Sequence, residues 1–181
     1  MDNVPDAPIP GATMGPVFWD VQAFPDGPTL TLNGTIQEMH RQLLEINPDY
    51  DADFNRTAVA TRDLEKRTDF TGSQVVCSQD LYGPIGEDPY HDGINYLRGH
   101  SGQPHLPPGP QACGRVSCSY GTGIYICNFT LEDKYLISWG SVADGAEYIW
   151  KECSDDSRET KIGGRAYHPT NWNVFIMSSR C

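Results

Sequence analysis

The sequence predicts an α+β fold, a two-layer sandwich in which two helices cover one face of a small antiparallel sheet. Three observations carry that expectation. From residue 74 onward, short runs of strand character alternate with two stretches of helical period. All six cysteines, Cys77, Cys113, Cys118, Cys127, Cys153 and Cys181, fall in that same region. A dibasic pair, Lys66-Arg67, stands on the border between it and a first part that contains no cysteine.

Within the cysteine-rich part, residues 74–77 read as a short strand bounded by Gly72 and Gly83-Pro84. Asp88-Pro89 opens the first helix, with Asp as the cap and Pro at the first helical position. Tyr90, Ile94 and Leu97 line one face of that helix and Gly99 ends it. Pro104, Pro107, Pro108 and Pro110 mark residues 103–111 as a stiff connecting loop. Residues 114–120 and 124–129 flank Gly121-Thr122-Gly123, the pattern of a β-hairpin. Centred on Thr122-Gly123, the hairpin would set Cys118 opposite Cys127, although cross-strand neighbours often bond elsewhere. The apolar run 135–139 is a strand or a loop. Gly140-Ser141 begins the second helix, with Ser141 and Asp144 spaced for a capping box, and Val142, Ala146, Ile149, Trp150 and Cys153 give it a broad apolar face. Two last strands, 162–167 and 172–177, are joined by a turn at His168-Pro169-Thr170-Asn171. The order β-α-β-β-α-β-β is that of a split β-α-β unit whose sheet has one buried side. Six cysteines imply three disulfides, and spacing does not choose among their pairings.

The first part reads differently. Residues 1–28 carry six prolines and form an extended arm, with one short strand at 17–21. A helix follows over about 35–46: Thr35 caps it, Glu38 completes a capping box and Asn47-Pro48 stops it. Ile36, Met39, Leu43 and Ile46 make one apolar stripe. A lone amphipathic helix cannot bury its stripe against itself, so this one is expected to dock on the cysteine-rich part. Residues 1–67 have a net charge of −6 and residues 68–181 one of −5. The docking force is therefore apolar, from the stripe together with Phe18 and Trp19. Residues 51–68 are expected to form an exposed, cleavable connection. On this reading Lys66-Arg67 is a kexin-type processing site between a pro-segment, 1–67, and a mature domain, 68–181.

Composition narrows the function classes. Lys plus Arg number 13 against 24 Asp plus Glu, a formal charge of −11. With no basic run to reverse it, that charge disfavours nucleic-acid partners. Disulfide-forming cysteines beside the acceptors Asn33, Asn55 and Asn128, each in an Asn-X-Ser/Thr pattern, point to a secreted glycoprotein. No apolar run approaches the roughly 18 residues of a membrane span. The first residues carry no signal-peptide apolar stretch, and a secreted form is expected to have lost one by cleavage.

The order of elements, the segment Cys113-Gly114-Arg115-Val116-Ser117-Cys118-Ser119-Tyr120 and its partner strand resemble small secreted fungal proteins of the killer-toxin-like and necrosis-inducing effector type. The helix ending at Cys153, then Ile162-Gly163-Gly164-Arg165-Ala166, then Asn171-Trp172-Asn173-Val174, are similar too. The likeness covers residues 74–181. It implies a disulfide-bonded, often kexin-processed toxin or effector that acts on a host or competitor cell without enzymatic turnover. Its partners would be a cell-surface or extracellular target and a kexin-type protease. It transfers no catalytic residue.

No motif identifies a reaction. His100 and His105 lie close together near Cys113, but the cysteines lack the paired spacing of a metal site and are better used in disulfides, so no metal or cofactor is expected. There is no G-x-S-x-G motif. A secreted ribonuclease or other small hydrolase is the alternative. It would need a base, an acid and a cation, drawn from His91, His100 or His168 with Glu87 and from Arg98, Arg115 or Arg165. An inert wall or matrix protein is a further one. Tyr120, Tyr125, Trp139 and Trp172 could bind a partner or glycan if exposed, but sheet and core positions suit them better.

Overall fold

The computed structural model describes residues 7–55, 67–154 and 161–181. The alternating runs assemble into a six-stranded sheet. In spatial order its strands are β1 (Thr13–Met14), β7 (Ala112–Ser119), β8 (Thr122–Asn128), β12 (Trp172–Ser178), β11 (Gly164–His168) and β4 (Val75–Cys77). Every neighbouring pair is antiparallel except β1 and β7, which run parallel. The α+β class is as expected. The sheet, however, is wider than expected and mixed, because the proline-rich arm supplies an edge strand.

The hairpin turns at Tyr120-Gly121, both at positive φ (41° and 86°). Two such residues match the right-handed twist of the strands they join, and glycine takes that conformation without strain. This turn lies two residues before the expected centre, so Cys118 faces Gly123, and a bulge between Arg115 and Ser117 then sets Cys113 opposite Cys127. Three disulfides follow, Cys113–Cys127 across the hairpin, Cys118–Cys181 at the C-terminus and Cys77–Cys153 from β4 to a helix end 76 residues away. Bonds of this kind each contribute roughly 2–4 kcal/mol, more for longer loops.

Two helices, α4 (Glu87–Arg98) and α5 (Trp139–Cys153), lie on one face of the sheet. Val116, Ile124, Ile126, Ala166, Val174 and Ile176 pack beneath them in one core. The alternate residues Tyr125, Cys127, Phe175 and Met177 form a second apolar cluster on the opposite face, with Tyr82 of α3 (Gln79–Tyr82) and the arm residues Ile9, Ala12 and Met14. The sheet is thus covered on both sides at its centre, not one, and every residue of β8 is buried.

Both helix starts differ from expectation. Gly86 caps α4, which leaves Asp88 and Pro89 in the first turn, where proline is tolerated. Ser138 caps α5 through the Gly140 N–H, so Ser141 and Asp144 lie inside the helix and form no capping box. At Gly145 a Cβ would come within 2.5 Å of Val174 and 2.8 Å of Phe70. The missing side chain is what lets Phe70 close onto the sheet.

The first part belongs to the same core. β2 (Phe18–Gln22) pairs with β3 (Thr29–Asn33) and with β6 (Gln103–Leu106), and β9 (Lys134–Tyr135) completes a four-stranded sheet. The expected stiff loop therefore begins with a strand. Although Pro104 lacks an N–H, its carbonyl still accepts from the Leu136 N–H. A two-stranded ladder joins β5 (Pro84–Ile85) to β10 (Lys161–Ile162). Trp19 is fully buried, edge-on to Trp139, and its indole donates to the Ser101 carbonyl at 2.7 Å.

Helix α1 (Ile36–Ile46) has the expected reciprocal capping box of Thr35 and Glu38. It docks through Ile36, Met39 and Leu43, with His40 in place of the exposed Ile46. From its flank, Gln37 donates to Ser117 of β7 at 2.6 Å. A further turn, α2 (Tyr50–Asp53), buries Tyr50 and takes in the first residues of the expected connection, of which 56–66 lie outside the described residues. No helix among the described residues is long and apolar enough to cross a membrane.

Candidate functional site

Three polar groupings stand out, and the first is at the dibasic border. Lys66 lies outside the described residues, whereas Arg67 is exposed and begins the described chain that runs into the cysteine-rich part. The next residue is held firmly. Its backbone N–H, at Thr68, donates to Asp144 Oδ2 at 2.7 Å, and its hydroxyl donates to Ser141 Oγ at 2.7 Å. Ser141 and Asp144 are three apart on α5 and so share the face that receives Thr68. Asp144 Oδ1 accepts from Arg98 Nη2 at 2.7 Å. The same guanidinium binds both oxygens of Glu147, at 3.2 and 2.9 Å. The side chains of Arg98 and Asp144 are only 10% and 7% exposed. Burial pushes the Arg98 pKa down, but the hydrogen bonds and charges of Glu147 and Asp144 outweigh it and hold the pKa above its usual value. An open groove of about 370 Å³ runs over this junction between Arg67, Asp69 and Lys151.

The second grouping is on the sheet face opposite α4 and α5. There the Arg165 guanidinium lies 4.1 Å from the Tyr167 ring centre, 5.0 Å from Phe175 and 5.3 Å from Phe129. With the Asn173 amide oriented by its neighbours, its oxygen accepts from Arg165 at 2.6 and 3.0 Å. Arg165 is thus stacked and hydrogen-bonded into one position. It and Tyr167 separate two grooves. One, of about 530 Å³, is bounded by the arm and Leu81; the other, of about 590 Å³, by Gln74, Phe129 and His168.

His168, at the rim of the second groove, accepts at Nδ1 from the Thr170 backbone N–H at 3.2 Å and from its hydroxyl at 2.9 Å. Burial first, and then the Lys134 ammonium, push its pKa below the usual 6.5. The sign of the consequence is fixed. As pH falls, the unfolded chain protonates this residue before the folded chain does. Stability therefore falls from about pH 6.5 down to the folded pKa. An NMR titration is expected to place the His168 midpoint below 6.5, and His168→Asn should flatten that part of the stability curve. Asp69, whose carboxyl is held down by its hydrogen bonds to Thr71, loses its contribution only at lower pH.

The third grouping joins the two parts of the chain. His40 of α1 bonds Asp51 Oδ1 at 2.7 Å through Nε2 and the Tyr96 hydroxyl through Nδ1. His100 packs 4.6 Å from His40 and bonds the Tyr96 carbonyl at 2.7 Å. His40, Asp51 and His100 place one ligand atom each within 4.8 Å of one another, a possible metal-ligand set. The sequence reading missed this set because His40 and His100 are 60 residues apart. The pair it considered does not form a group: His105 stacks between Phe18 and Tyr135 and faces Asp20.

The remaining candidates are scattered. His91 and Glu87 are exposed on α4, and Arg115 donates to the Arg180 carbonyl. Of the ribonuclease set, Arg165 and His168 line one groove. Among the four candidate binding aromatics, Tyr125, Trp139 and Trp172 are buried and Tyr120 alone is exposed. Asn33 and Asn55 are exposed. Asn128 is fully buried and its amide donates to the Pro107 and Glu132 carbonyls, two bonds of which a glycan on that nitrogen would remove one. No family model, curated protein or solved structure matches this chain.

Proposed function

We propose that this chain is a secreted, disulfide-braced protein of the killer-toxin-like or effector type. It is made as a proprotein, processed after Lys66-Arg67, and acts by recognising a cell-surface or extracellular target. The observation that carries this reading is the fixed Arg165–Tyr167–Phe129 platform between two grooves. Aromatic rings and an oriented guanidinium are the groups that dominate recognition surfaces, and here they cost little ordering entropy on binding. The disulfides hold the supporting sheet, and α4 and α5 side by side on its other face support the split β-α-β reading of residues 74–181.

The test compares wild type with Arg165→Ala and Tyr167→Ala, each checked for unchanged thermal stability. Growth inhibition or binding to target cells is expected to fall by about tenfold or more in either variant. RNA cleavage by the wild type that disappears in His168→Ala would replace this reading with the hydrolase. Absence of both activities would leave the matrix protein.

A further inference from the structure

We infer that cleavage of the Arg67–Thr68 bond leaves a two-chain protein in which the new Thr68 amino group forms a shielded ion pair with Asp144. The inference rests on the proposed processing site and goes on to what processing makes.

The reaction is hydrolysis by a dibasic-specific endoprotease. The C–N bond breaks, the oxygen of water becomes part of the Arg67 carboxylate, and Thr68 leaves as an α-ammonium. Nothing covalent then joins the parts, since all three disulfides lie within residues 77–181. What holds them is the common core. Val17, Trp19, Ile36, Met39 and Leu43 are each fully buried, and β1 and β2 are hydrogen-bonded to β7 and β6. Cleavage removes none of these contacts.

The receptor for the amine is already built. In the intact chain the Thr68 N–H donates to Asp144 Oδ2 as a neutral amide. On the other side, one buried guanidinium, Arg98, serves two carboxylates, Asp144 and Glu147. These three side chains together carry a net charge of −1. A Thr68 ammonium at the same position adds a cation beside Asp144 and turns a hydrogen bond with a neutral donor and a charged acceptor into one charged on both sides. The Thr68 hydroxyl, bonded to Ser141, keeps the residue in register. Lys151 and Asp69 line the open side, with His168 acting on Asp69 from β11.

Opposite charge beside the amine raises its pKa above the ordinary range of about 7.7–8.0. The stability so gained is complete below that ordinary range. It disappears as pH rises through the folded value.

The experiment uses the full chain. N-terminal sequencing of the natively secreted protein tests the processing reading itself: an uncut Arg67–Thr68 bond there sinks that reading. The two-chain inference is tested on purified full chain cut in vitro with a kexin-type protease. Gel filtration is expected to give one peak of undiminished size, and denaturing electrophoresis two bands. Separation of the fragments on the column overturns the inference even if processing occurs. Competitive acetylation near pH 7 is expected to modify the Thr68 amine about tenfold more slowly than a free Thr peptide, as a one-unit rise in pKa requires. Asp144→Asn should abolish that protection. Acetylation of the wild-type amine at the free rate overturns the pairing by itself, whether or not the variant folds.

Discussion

A chain that begins at Thr68 and is synthesised without residues 1–67 is expected not to reach the native fold. Its strands, helices and cysteines are all present, but much of its core would be open to water. Val17, Trp19, Val21, Ile36, Met39 and Leu43 are at most 2% exposed. Each contributes on the order of 1.5–3 kcal/mol of burial, so their combined loss is comparable to the whole stability of a domain of this size. The missing part also covers Trp139, leaves β6 without its main partner and strips the parallel edge from β7. On the other sheet face, Ile9, Ala12 and Met14 no longer cover Phe175 and Tyr125. The isolated fragment should therefore give poor NMR dispersion and bind a hydrophobic dye, with scrambled disulfides. The protease-cut full chain should do neither. A fragment with a dispersed spectrum and the Cys77–Cys153, Cys113–Cys127 and Cys118–Cys181 bonds would refute this. This contrast gives the first part a job that outlasts cleavage: it supplies Val17, Trp19, Ile36, Met39 and Leu43 to the core that the second part needs.

Much of this was legible in the sequence, for identifiable reasons. The capping box at Thr35 and Glu38 and the stripe of Ile36, Met39, Leu43 and Ile46 are local signals; the box is realised, and the stripe is buried except at the exposed Ile46. The stripe's need for a partner also followed from residues alone. What could not be read depends on register and distance. Whether Cys118 faces Cys127 or Gly123 turns on a two-residue shift of the hairpin, since Gly121 and Gly123 are equally suited to the turn. The strand at Gln103–Leu106 hides behind Pro104, because its pairing comes from β2, more than 80 residues earlier. Ser141 and Asp144 have the spacing of a capping box, and one turn of helix upstream at Ser138 is enough to free them for Thr68. The Arg165 platform gathers residues from β11, β12 and the position just after β8, and has no sequence signature.

Arg98→Met should have the second largest effect, for a different physical reason. Arg98 makes three hydrogen bonds to two carboxylates, and its side chain and that of Asp144 are both nearly buried. Methionine fills much of the same space and keeps the apolar stem packed. The loss therefore reflects charge rather than a cavity. Removing one partner of such a pair strands the other, which typically costs about 3–5 kcal/mol. Half-exposed Glu147 relaxes into water, so Asp144 should carry most of the penalty. Two features separate this from ordinary repacking. Replacing both partners, in Arg98→Met with Asp144→Leu, should recover most of the stability, because no buried charge is left behind and Glu147 reaches water. The single variant should also lose less stability when the chain is cut after Arg67 than when it is intact, since the Thr68 ammonium then offers Asp144 a second cation. Denaturant unfolding of the double variant, and of wild type and Arg98→Met each intact and cut, measures both. An Arg98→Met penalty that is equal in cut and intact chains would mean that the amine and the guanidinium do not share Asp144.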